Sequence, residues 1–279
     1  SGTDGGKNIT MGNQLTFSGG GELDNGLNVA LSFVLDHADN VASGFDSHSI
    51  TVSSDALGSI TVAGDGTGNA QSALDTTAAG DIWDNGFTHG AAIGYTAMGG
   101  SDANNNKSIN YTLPTIMDDL SVAVSYSGQT TATNSTTAFG ATYTGVEGLS
   151  VSYGVGEAGS TTATAAADVT TMKASYAIGS FTAAVSNTEN DRGSTGTDEE
   201  MSSWKLSYTV SDDLSVSYGE ETHETSGSSV DEEFDAVSVS YTTGGMTITA
   251  AQYNATGLNN TAGTTGEAAR WKLSTSFAF

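Results

Sequence analysis

The side chains with the most chemistry in this chain are carboxylates. Asp and Glu number 32 against seven Lys and Arg, a formal net charge of −25. Two runs are dense: Asp198-Glu199-Glu200, and Asp231-Glu232-Glu233 with Asp235. Clustered carboxylate oxygens suit Ca²⁺, a hard cation that takes several oxygen ligands. The same runs also read as solvated charge on exposed loops. The overall acidity likewise has two readings: plain solubility, or adaptation to salty water, where screening tolerates self-repulsion. Catalytic constellations are absent. His37, His48, His89 and His223 are scattered without metal-ligand spacing. There is no Cys, no glycine-rich phosphate loop and no His-Glu-x-x-His. No enzyme is expected and no cofactor is required. Phosphate contacts need clustered Lys and Arg, so nucleic acid is not an expected partner.

The elements that carry these side chains follow a period of two. Fifteen segments alternate apolar with small polar residues: 14–22, 27–36, 47–54, 59–65, 107–114, 119–127, 136–145, 148–157, 169–178, 180–188, 201–210, 213–222, 234–243, 245–254 and 269–279. Short connections rich in turn residues, such as Asp24-Asn25-Gly26 and Gly145-Val146-Glu147-Gly148, alternate with long ones at 37–46, 66–106, 128–135, 158–168, 189–200, 223–233 and 255–268. Antiparallel hairpins send every second connection to the same end. All short turns therefore share one end and all long loops the other, the asymmetry of outer-membrane barrels. With 37% hydrophobic residues, 36 Gly and one Pro, the chain is poorly supplied for a soluble core. A barrel with a water-filled interior needs only an apolar outer face. No run of about 18 apolar residues offers a transmembrane helix. The expected fold is all-β, one transmembrane antiparallel β-barrel over 1–279.

Tyr111, Tyr143, Tyr176, Tyr208, Tyr241 and Phe277 all fall near the short-turn end of their strands. They are expected to form an aromatic girdle at the periplasmic boundary, with the long loops extracellular. The first and last segments both run toward short turns and would meet in parallel. The expected barrel therefore has sixteen strands, the first of them missing before Ser1. Alternation also assigns faces. Trp204, Leu206 and Tyr208, then Trp271, Leu273 and Phe277, form outward stripes, so Lys205, Arg270 and Lys272 point into the lumen. Lys173 joins them, because Met172, Ala174, Tyr176 and Ile178 take the lipid face. A basic charge on that face at mid-depth would cost about 2–4 kcal/mol. Segment 66–106 exceeds any ordinary hairpin loop. Its apolar anchors Leu74, Ile82 and Trp83 need burial, and the lumen is the available cavity. An external flap or an extra strand near 87–98 is the alternative.

On these features the chain resembles the general porins of Gram-negative bacteria, in particular the acidic porins of oceanic alphaproteobacteria. The phrases that carry the likeness are Gln14-Leu15-Thr16-Phe17-Ser18-Gly19, Gly21-Glu22-Leu23-Asp24-Asn25-Gly26 and Leu74-Asp75-Thr76-Thr77-Ala78-Ala79-Gly80-Asp81. The resemblance implies a homotrimer in the outer membrane, in contact with lipid and lipopolysaccharide, that passes small hydrophilic solutes by passive diffusion. It implies that the terminal Phe279 is read by the barrel-assembly machinery. It makes 66–106 the inward-folded constriction loop. Asp75, Asp81 and Asp84 there, with Trp83, would face a basic ladder of Lys173, Lys205, Arg270 and Lys272. Opposed charge rows create a transverse field that orients dipolar solutes. With a net charge of −25, weak cation preference is expected. The rival functions are a substrate-specific outer-membrane channel and a calcium-binding surface or adhesion barrel, in which Ca²⁺ would bridge loops or lipopolysaccharide phosphates.

Overall fold

Small and β-branched residues in strict alternation favour the pleated, half-covered surface of a sheet. The computed structural model describes residues 15–35, 45–65, 69–74, 76–87, 108–128, 135–158, 167–192 and 197–277. Fifteen strands run in chain order: β1 (Leu15–Glu22), β2 (Asn28–Leu35), β3 (Phe45–Ser54), β4 (Gly58–Asp65), β5 (Ser108–Thr112), β6 (Leu120–Ser127), β7 (Thr136–Val146), β8 (Leu149–Ala158), β9 (Ala167–Ile178), β10 (Phe181–Asp191), β11 (Glu199–Ser211), β12 (Leu214–Thr225), β13 (Glu232–Thr243), β14 (Met246–Thr256) and β15 (Ala268–Phe277). Each pairs antiparallel with the next in one continuous sheet. All fifteen expected segments are present. Between β4 and β5 lie a 3₁₀ turn (Ser72–Leu74) and one short helix, α1 (Ile82–Phe87). Among the described residues β1 and β15 are the two sheet edges, with no strand between them. Both run toward the short turns, so they cannot close on each other antiparallel.

Hydrophobicity is inverted relative to a soluble globule. Large apolar side chains such as Leu31, Ile60, Met172, Val185, Leu206 and Leu273 lie 46–61% exposed or nearly so, on the outward parity of their strands. The inward parity carries Ser, Thr, Gly and Ala. That is the surface of a sheet whose outer face meets hydrocarbon. None of the described helices is long and apolar enough to cross a membrane.

The short turns hold the register. Gly148 sits at φ +77, and a Cβ there would strike the Ala177 carbonyl oxygen. Gly58, at φ +76, would strike the Thr112 carbonyl in the same way. Both positions need the left-handed backbone and close strand approach that only glycine accepts without strain. At the opposite end, β11 begins at Glu199 and β13 at Glu232. The two acidic runs expected on loops are therefore mostly strand ends, extended because their backbone remains paired beyond the apolar band.

Candidate functional site

The described part of the long connection between β4 and β5 folds inward and follows the inner wall strand by strand. Ala70 N donates to Ser125 Oγ of β6 at 2.9 Å. Ala70 lies against Gly140 of β7, where a Cβ would strike its carbonyl oxygen, and Gln71 packs closely on Gly154 of β8, 3.2 Å from where a Cβ would be. Gln71 Nε2 donates to Thr171 Oγ1 of β9 at 2.8 Å. Ala78 N donates to Ser186 Oγ of β10 at 2.8 Å, and Ala79 N to Ser203 Oγ of β11 at 2.9 Å. Glu221 of β12 accepts twice: from Thr77 Oγ1 and, at 3.1 Å, from Trp83 N. Phe87 then packs on Phe234 of β13 and Tyr253 of β14, with ring centroids 5.9 and 6.5 Å apart. Ile82, 3% exposed, joins Met201, Phe234 and Ala255 in a small apolar cluster inside the sheet.

This wall answers a physical demand. A loop inside a barrel must satisfy its backbone polar groups away from bulk water. Inward-facing serine and threonine hydroxyls accept its amides, and inward glycines let it come close. Loop carbonyls need donors, and the wall cations supply them. Lys173 Nζ reaches the Thr76 carbonyl at 2.7 Å, Lys205 Nζ the Ala79 carbonyl at 3.5 Å, and Arg270 the Gly86 carbonyl at 2.9 Å. Lys272 shares the inward parity of Arg270 and stays exposed. Three of the four expected ladder bases thus stand behind the loop and hold its backbone. Lys173 also lies close enough to Asp81 for its charge to act on that carboxyl.

On the loop, Asp81 sits at φ +55. Its Oδ1 accepts from Thr77 N at 2.9 Å while Thr77 Oγ1 accepts from Asp81 N at 2.7 Å. Burial pushes the Asp81 carboxyl above its ordinary value, against the Thr77 bonds and the Lys173 charge. Asp84 is exposed in the first turn of α1, and Trp83 is half-buried. Asp75 and Phe279 lie outside the described residues. Among the residues anchoring the loop, sequence reading missed Glu221, Ser125, Ser186 and Ser203. Inward parity was the available signal for all four, since Glu221 continues the inward row Ser215, Ser217, Gly219.

Five of the six expected girdle aromatics take the same place in the ladder, and Tyr111 sits two residues away from it. Tyr143, Tyr176, Tyr208, Tyr241 and Phe277 each pair with the first residue of the preceding strand or hairpin partner: Leu120, Leu149, Phe181, Leu214 and Met246. Tyr111 pairs with Ile60, and its hydroxyl donates to the Leu57 carbonyl in the β3–β4 turn at 2.8 Å.

The seven acids of the calcium reading do not converge. Alternation sends Glu199 and Glu232 inward and Glu200, Glu233 and Asp235 outward. Glu200 accepts from Asn187, Asp235 from Asn254, Glu233 from Thr256 and Asp198 from the Arg192 amide. Asp231 is exposed. Inside, Glu232 Oε2 lies 2.9 Å from His223 Nδ1, and Glu199 pairs with Arg192 at 2.9 Å. Among the described residues no group of three or more His, Asp or Glu is arranged to hold a metal ion.

A family model described as Gram-negative porin matches residues 1–278. No curated protein matches the chain. Among solved structures, OmpT of Vibrio cholerae is similar at 16% identity with a TM-score of 0.63, over 87% of this chain and 78% of that one. A porin refined at 1.8 Å resolution aligns with a TM-score of 0.66 at 15% identity, over 95% and 92% of the two chains. A mutant of the Rh. blastica porin aligns at 12% identity with a TM-score of 0.60, over 95% and 89%. At these identities the likeness is one of fold.

Proposed function

This chain belongs to the Gram-negative porin family and forms an outer-membrane channel, and we propose that it passes small hydrophilic solutes and ions by passive diffusion with weak cation preference. One observation carries the reading: a long connection folded onto the inner wall and fixed there by side chains from β6 to β15. Such a loop narrows a water-filled path without closing it, and the inward hydroxyls offer solutes no chemistry beyond hydrogen bonding. The exposed Asp84 and the net charge of −25 support cation preference.

We extend to this chain the trimeric assembly of the OmpT structure in its trimer form, which aligns at 17% identity and a TM-score of 0.65. The girdle tyrosines would meet the periplasmic lipid boundary, the strand ends lipopolysaccharide, and Phe279 the barrel-assembly machinery. The test is planar-bilayer recording of purified protein. Insertions that close in three equal steps and a zero-current potential of cation sign in a KCl gradient are expected. Single-step closures would exclude the trimer, and an anion-sign potential would exclude the selectivity.

A further inference from the structure

The external connection from β14 to β15 folds back onto the wall in two short turns, Leu258–Asn260 and Thr264–Gly266. Gly257, at φ +70, comes so close to the start of β13 that a Cβ there would strike the Asp231 carbonyl oxygen. Asn259 and Asn260 hold the left-handed backbone at φ +56 and +53, a conformation that few residues other than glycine accept. That shape aims the Asn259 amide at Glu232, whose Oε1 accepts it. The other oxygen of Glu232 lies 2.9 Å from His223 Nδ1. Both side chains are 0% exposed. A buried carboxylate is costly unless it is hydrogen-bonded, and here one oxygen takes the wall and the other the connection. Leu258 of the same connection packs on the cluster of Ile82, Met201, Phe234 and Ala255. Ile82 belongs to α1, and His223 pairs in register with Met201 and Glu232. The external connection and the helix of the inward loop are therefore seated on one patch of wall.

We propose that the β14–β15 connection is a strap that keeps α1 seated, and that Glu232, oriented by His223, is the positioning residue that fastens it. The proposal deepens the porin reading and rests on it for its effect on the pore. Undocking the strap takes Leu258 off the cluster and leaves Glu232 with one bond fewer. α1 then opens more often. The start of the inward loop, on β6 to β9, keeps its own bonds and stays closed.

The chain has no Cys, so a single thiol reports without background. Ile82→Cys puts one in the cluster, where Ile82 is 3% exposed, and Thr171→Cys puts one under Gln71, where Thr171 is 0% exposed. Labelling of the folded protein in detergent by a charged methanethiosulfonate reagent would be followed by mass. Ile82→Cys alone is expected to react slowly. Adding Glu232→Ala should speed it at least about tenfold, with Thr171→Cys unchanged by the same addition. Adding Glu232→Gln, which keeps an acceptor for the Asn259 amide, should leave Ile82→Cys slow. Leu258→Ala loosens the strap without touching the buried carboxylate, should also speed Ile82→Cys, and serves as the second variant should Glu232→Ala not fold. Fast reaction of Ile82→Cys alone, an unchanged rate in folded Glu232→Ala or Leu258→Ala protein, equal speeding of both thiols, or release by Glu232→Gln equal to that by Glu232→Ala overturns the proposal. Labelling needs no conduction, so a folded chain that labels as expected and opens no channel in planar bilayers overturns the porin reading and leaves the strap.

Discussion

Glu221 joins two parts of the loop with one side chain, taking the Thr77 hydroxyl on one oxygen and the Trp83 amide on the other. Glu221→Ala leaves two donors at a buried site without an acceptor, at about 1–3 kcal/mol each if water does not replace it. We expect intact strand content by circular dichroism and single-channel traces with added open-state noise as the loop detaches; quiet traces would show that the carboxylate is dispensable. Asp81 differs. Burial raises its folded carboxyl above the unfolded value, so its contribution to stability is greatest at low pH and declines as pH rises through the folded value. Asp81→Asn keeps an acceptor for Thr77 N and removes that decline. At neutral pH it should melt at or above the temperature of the unsubstituted protein, and the difference should vanish near pH 4. A lower melting temperature at both pH values would mean the carboxylate itself is needed.

The strands were legible because period two needs only local residue choice, and a barrel repeats that choice in every element. All fifteen expected segments are strands, and the inward parity of Lys173, Lys205 and Arg270 follows from the same rule. What these cations touch was not legible. Their partners are backbone carbonyls at Thr76, Ala79 and Gly86, which no side-chain pattern announces. The acidic runs were misplaced for a related reason. Polar strand ends beyond the apolar band resemble loops in composition, although their ladder bonds continue. The hairpins themselves rest on backbone geometry. Gly148→Val would force a β-branched residue into φ +77 against the Ala177 carbonyl, a strain of about 1–3 kcal/mol. Urea unfolding in detergent should shift to lower midpoint with an unchanged slope. An unshifted midpoint would show that the β7–β8 turn relaxes without cost.

For the molecule as a whole, a net charge of −25 acts over distances set by salt. The screening length shrinks from about 10 Å at 0.1 M to about 3 Å at 1 M. Cation preference that arises from exposed carboxylates such as Asp84 should therefore weaken between these salt concentrations at a fixed KCl gradient. Preference that persists at 1 M would point to a charge in direct contact with the permeating ion. The wiring of the loop also dictates an order of events. Gly86 and Arg270 are bonded across 184 residues of chain, and closing so long a span waits until the intervening strands have paired. The loop can make its contacts on β6 to β14 beforehand, including those of Phe87 on Phe234 and Tyr253, whereas the Gly86 tie waits for β15. β15 thus adds one of the ties that set the aperture, so a sheet not yet joined by β15 would hold a looser, wider opening.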